Sequence, residues 1–67
     1  MDLHTCRIVL SNQQILTSQS VEQSLSYLED QADIGISMIE IDATDGNQIH
    51  SYMSRSLEES IENLMNL

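Results

Sequence analysis

His4 and Cys6, with His50 far along the chain, are the side chains best suited to hold a soft metal ion. Zinc sites announce themselves by ligands paired at short spacing, such as two Cys-x-x-Cys units. One cysteine and two histidines do not make that pattern. Two surface histidines and a core or edge cysteine are the expected reading. A metal- or ligand-binding module using His4, Cys6 and His50 stays the outlying alternative, and no metal or cofactor is assigned.

Asp42-Ala43-Thr44-Asp45-Gly46-Asn47 has the acids of a calcium loop without their arrangement. An EF-hand wants acids at alternate positions, then Gly, then a Glu further on. Asp42 and Asp45 are three apart, and no Glu follows at the required place. Asp45-Gly46 reads instead as a hairpin turn.

Nucleophilic catalysis needs Ser or Cys beside a His oriented by an acid. None of the ten serines sits on a nucleophile elbow or after a Gly-rich turn. Two glycines cannot build a phosphate-cradling loop. So short a chain also has little room for a pocket of ~300 Å³ or more. The expectation is a protein that is not an enzyme.

The acids offer a different chemistry. Glu22, Glu29, Asp30 and Asp33 lie off the apolar stripe of one predicted helix, and Glu58, Glu59 and Glu62 off that of a second. With Asp42 and Asp45 they form a broad negative surface, the candidate partner-binding site. The plain reading is a solvated helix face. The sharper one is mimicry of the DNA backbone: carboxylates one helical turn apart repeat every ~5.4–6 Å, close to the phosphate spacing scale.

Composition narrows the classes further. The chain has 67 residues, eleven acids, two arginines and no lysine, for a formal net charge of −9. Residues 1–33 hold five acids and residues 34–67 six, so the charge is spread over a folded surface rather than a tail. Direct binding to nucleic acid or to an anionic membrane is excluded, because Lys and Arg supply that affinity. A basic or nucleic-acid-binding protein partner is favoured. Cys6 stands alone, so no internal disulfide forms, which fits a reducing compartment such as the cytoplasm. The start, MDLHTC, has no basic region or apolar core of a signal peptide, and no apolar run is long enough to span a membrane.

These residues must be positioned by short elements. Cys6 to Leu10 and Gln14 to Thr17 read as a hairpin around Ser11-Asn12-Gln13. Ser20-Val21-Glu22-Gln23 fits a capping box, and Val21, Leu25, Leu28 and Ala32 follow on one helix face, stopped by Gly35. Ile36 to Asp42 and Gln48 to Met53 form a second strand pair, with Ile49 and Met53 expected to face inward. Ser56-Leu57-Glu58-Glu59 is a second capping box, and Leu57, Ile61 and Leu64 the second stripe. The fold class is α+β, β-β-α-β-β-α: a four-stranded, mostly antiparallel sheet with both helices on one face. One domain is expected over residues 1–67, with a first ββα unit at 7–33 and a second at 36–67.

Residues 20–28, SVEQSLSYL, align without gaps to residues 56–64, SLEESIENL. Either a ββα unit has been duplicated, or two capped amphipathic helices in a Ser- and Leu-rich chain look alike by necessity.

The core stock is aliphatic: eight Ile, eight Leu, four Met and two Val, with no Phe or Trp. Ordering a chain costs ~1.5 kcal/mol per residue, which a small core without large aromatics struggles to offset alone. Ile8, Leu10, Ile39 and Ile41 lie beside Val9, Ile36 and Met38 of opposite parity, so both sheet faces are expected to be apolar. A homodimer through the helix-free face follows, with Val9, Ile36, Met38 and Tyr52 as the self-association residues. The function read from all this is a small acidic regulatory protein acting by protein–protein interaction. The alternative is an acidic DNA-mimic inhibitor, of the kind phages and mobile elements encode.

Overall fold

β1 (Asp2–Leu10) and β3 (Ile36–Thr44) pair antiparallel at the centre of one four-stranded sheet. The structure is a computed structural model and describes residues 1–33 and 35–67. β2 (Ile15–Ser18) and β4 (Ile49–Ser54) flank the central pair, giving the order β2-β1-β3-β4, antiparallel throughout. Helices α1 (Val21–Gln31) and α2 (Leu57–Met65) follow β2 and β4 and pack over one face. The architecture is the expected α+β order. β1 starts earlier than Cys6, so His4 belongs to a strand and not to a loose end.

The two halves are related by an approximate two-fold axis through the Arg7–Glu40 pair. Cys6 faces Ile41 and Ile8 faces Ile39, so exchanging β1 with β3 exchanges these pairs. Each central strand also carries one bulge. His4 is the extra residue between Leu3 and Thr5, and Ser37 the extra residue between Met38 and Ile36. Leu3–Ala43 on one side of the axis corresponds to Ile36–Leu10 on the other, so the bulges occupy matching places. The two halves are thus alike in strand register as well as in their capped helices.

Both helices begin at serine caps. Ser20 and Ser56 accept from the backbone N–H of Gln23 and Glu59 at 3.0 and 3.2 Å. The Gln23 amide does not complete a capping box; it donates to the Tyr27 hydroxyl at 2.9 Å. α1 ends before Ala32, which is exposed and not part of the buried stripe. Gly35 closes the turn, donating its N–H to Gln31 O at 3.2 Å with φ +103°. A Cβ there would lie 2.7 Å from the Ser11 hydroxyl, so only glycine fits both the angle and the space.

Cys6, Ile8 and Leu10 of β1, Ile39 and Ile41 of β3, Leu28 of α1 and Leu64 of α2 form the core. Val21, Leu25, Leu57 and Ile61 pack against it, as the stripes predict. α1 stands on β1 and β2, α2 on β3 and β4, and the two helices touch, so both feed one continuous core. Ser24 and Ser60, which face inward from the two helices, are fully buried.

Candidate interaction surfaces

The helix-free face can be read row by row from the register. Ile15, Val9 and Met38 form one row across β2, β1 and β3. Thr17, Arg7, Glu40 and Met53 form the next, across all four strands. Thr5, Asp42 and Ser51 follow, then Asp2, Thr44 and Ile49. Apolar side chains cluster on this face around Ile15, Val9, Met38 and Met53, and Ile49 stands apart from them at the opposite end. The centre of the face holds the Arg7–Glu40 ion pair at 3.6 Å, and beyond that Ser51 donates to Asp42 at 2.7 Å.

This corrects the expectation of two apolar faces. Of the four proposed self-association residues, Val9 and Met38 lie side by side on the helix-free face. Ile36 does not: the bulge at Ser37 reverses its direction, and it sits opposite Leu10 and packs against the core. Tyr52 does not either, because it faces Ile41 on the helix side of β4. Ile49 and Met53 were expected inward and point the other way, opposite Thr44 and Glu40, at 52% and 59% exposure. Ile15, at 57%, is the residue that sequence reasoning left out. Its neighbour Leu16 faces Ile8 and is partly buried, so the Ile15-Leu16 pair alone did not show which one turned outward.

The helix layer carries seven of the eleven acids. Asp42 and Asp45, expected to extend this surface, do not: Asp42 lies on the helix-free face beside Ser51, and Asp45 in the second hairpin turn. Glu22, Glu29 and Asp30 of α1, Asp33 just after it, and Glu58, Glu59 and Glu62 of α2 are all exposed. Glu58 and Glu62 are one turn apart, as Glu22 and Glu29 are two, so each set makes a stripe along its helix. The helices lie in contact, and neither contains a basic residue. The two arginines lie outside the helices: Arg7 is on the helix-free face, and Arg55 is in the link between β4 and the Ser56 cap of α2.

The remaining candidates are held in structural positions. Asp45 Oδ1 accepts from Asn47 N and Gln48 N, both at 2.8 Å, and Oδ2 lies 3.2 Å from His50 Nε2. The backbone N–H groups of Gln48 and Asn47, helped by His50, hold the Asp45 carboxyl down to about 2. That is hairpin-turn chemistry rather than a calcium loop. Cys6 is buried under the helices, and burial pushes its thiol pKa up, against a hydrogen bond with Ser24. It stays a protonated thiol. Among the described residues no three His, Cys, Asp or Glu side chains gather in metal-binding geometry, and no cavity opens. No described helix is long and apolar enough to cross a membrane.

No family model, curated protein or solved structure matches this chain.

Proposed function

We propose that this chain is a small non-enzymatic regulator that binds a basic protein partner through its helix layer. The observation that carries the reading is the one-sided charge. Seven exposed carboxylates, Glu22, Glu29, Asp30, Asp33, Glu58, Glu59 and Glu62, share a layer with no basic residue on either helix. Such a surface steers a cationic partner and raises its association rate. A buried lone thiol suits a reducing, cytoplasmic setting.

A sharper form of the same reading makes the partner a nucleic-acid-binding protein and the chain its inhibitor. Carboxylates repeating at helical-turn spacing along two adjoining helices present charge on the scale of a phosphate backbone.

The test compares the wild type with a variant neutralised at Glu22, Glu29, Glu58, Glu59 and Glu62 (Glu→Gln). Each is immobilised and exposed to native-cell extract, and bound proteins are identified by mass spectrometry. The reading expects basic proteins held by the wild type, released as salt rises, and absent from the variant. Capture of the same proteins by both would overturn it. Competition with DNA for the captured protein then decides whether the site occupied is a nucleic-acid site.

A further inference from the structure

We infer that Arg7 and Glu40 decide which strand is accepted across the centre of the sheet, so that β1 takes a β3 and refuses the β1 of a second copy. The two residues face each other on the approximate two-fold axis, with the guanidinium 3.6 Å from the carboxylate. Theirs is the one row of the β1–β3 ladder in which a residue meets the residue that the axis exchanges it with. If the first halves of two copies met about the same axis, Arg7 would face Arg7. If two second halves met, Glu40 would face Glu40.

The core does not make that choice. On the helix side the native pairs beside the axis are Cys6–Ile41 and Ile8–Ile39. Two first halves would pair Cys6 with Ile8, and two second halves Ile39 with Ile41. Both alternatives are apolar, and both keep these side chains on the face that the helices cover, so the hydrophobic pattern does not tell the halves apart. The bulges at His4 and Ser37 do not either, because they occupy matching places. On the open face the alternatives set Thr5 against Val9 and Met38 against Asp42, which places polar beside apolar without bringing like charges together. Arg7 is the only Lys or Arg in the four strands, and Glu40 the only Glu.

An exposed ion pair is modest as a stabiliser. As a selector it counts twice. Pairing like halves of two copies replaces two Arg–Glu contacts by one Arg–Arg and one Glu–Glu contact, and like charges directly opposite on neighbouring strands are unfavourable. Specificity is a difference between partners, and a repulsive contact in the wrong pairing supplies it. Two halves so alike in register and core need such a device, and the axis is the place where a single residue from each half provides it.

Charge variants of the full chain test this. Arg7→Glu puts two acids on the axis, and Glu40→Arg puts two arginines there. Each should lower the ratio of folded to unfolded chain by about three- to tenfold at low salt, and the double variant with the charges exchanged should recover the wild-type ratio. Recovery separates selection by charge from packing of the arginine stem, which the exchange does not restore. Both side chains lie on the open face, so all three variants should keep the wild-type circular dichroism. The decisive arm mixes the two single variants, one of them isotope-labelled, unfolds them together and refolds them at high protein concentration. Only a mixed pair restores opposite charges at the axis, and it does so at both sheet centres. Native mass spectrometry should therefore find mixed dimers above the half share that random pairing gives, with the excess shrinking as salt rises. A double variant that fails to recover would overturn the inference. So would mixed dimers at or below the random share, or a mixture that returns single chains only. None of these results bears on capture of a partner by the acidic layer, which is read separately.

Discussion

Ser24 and Ser60 take equivalent places in the two halves, both fully buried, yet among the described residues only the Ser24 hydroxyl has hydrogen-bond partners. Ser24 donates to Ser20 O at 2.7 Å and is joined to the Ser18 hydroxyl, with the Cys6 thiol beside it. In the second half, Ser54 corresponds to Ser18, but its hydroxyl accepts from Ser56 N at 3.0 Å instead. Ile39 stands in the place of Cys6. Among the described residues the Ser60 hydroxyl has no partner. An unpaired buried hydroxyl costs about 1–3 kcal/mol. Ser60→Ala should therefore raise stability, by about 1 kcal/mol, while Ser24→Ala should lower it by a similar amount because it strands Ser18. Urea denaturation of both variants measures this, and a destabilised Ser60→Ala would show that the hydroxyl is satisfied.

Leu28 and Leu64 anchor the two helices in one core. Leu→Ala at either should cost about 2–5 kcal/mol, a large share of the stability of so small a domain. The losses should be similar at the two sites, since both side chains are almost fully buried in the one core cluster. Wild-type-like melts for both variants would contradict the shared core.

The first hairpin is closed by Gln13 at φ +71°, a left-handed conformation that a glutamine side chain disfavours. Leu10 and Gln14 are joined across the turn at 2.8 Å, so the backbone itself is well held. Gln13→Gly relieves a left-handed cost of about 1–2 kcal/mol against an unfolded-chain entropy cost of about 0.4–1 kcal/mol, so it should raise stability by up to about 1 kcal/mol. A lower melting temperature for this variant would show that the turn tolerates Gln13 without strain.

Salt should stabilise the fold. Eleven acids and two arginines repel one another in the compact state, and the described ion pairs are few and exposed. The melting temperature should rise between about 0.05 and 0.5 M salt as screening shortens. A fall would point to favourable ion pairs stronger than Arg7–Glu40.

Acid should act on the second hairpin in the opposite sense. The Asp45 carboxyl sits at about 2 in the folded chain against 3.8 unperturbed, so its contribution to stability is present above 3.8 and is lost as pH falls towards about 2. Amide signals of Asn47 and Gln48, followed by NMR, should shift through that window. Asp45→Asn should abolish the transition. Its survival would assign it to another group.

Much of this molecule was legible in order and kind. Helix caps at Ser20 and Ser56, the stripes through Leu28 and Leu64, and the Asp45-Gly46 turn are local signals, set by side chains within a turn or two of one another. Strand facing was not. Parity counts along β3 put Ile36 beside Met38, but the bulge at Ser37 turns it towards Leu10 and the core. Ile49, Tyr52 and Met53 were misplaced for a related reason: a strand's two faces are exchanged by a single step of register, and register is decided by the neighbouring strand. The amino-acid sequence determined the elements, their order and the net charge, since these depend on residue type and near neighbours. Only the tertiary structure decided that seven acids share the helix layer, that Arg7 pairs with Glu40 on the helix-free face, and that Ile15, Val9, Met38 and Met53 meet. Those placements arise from pairing between residues far apart in the chain, where no local propensity acts.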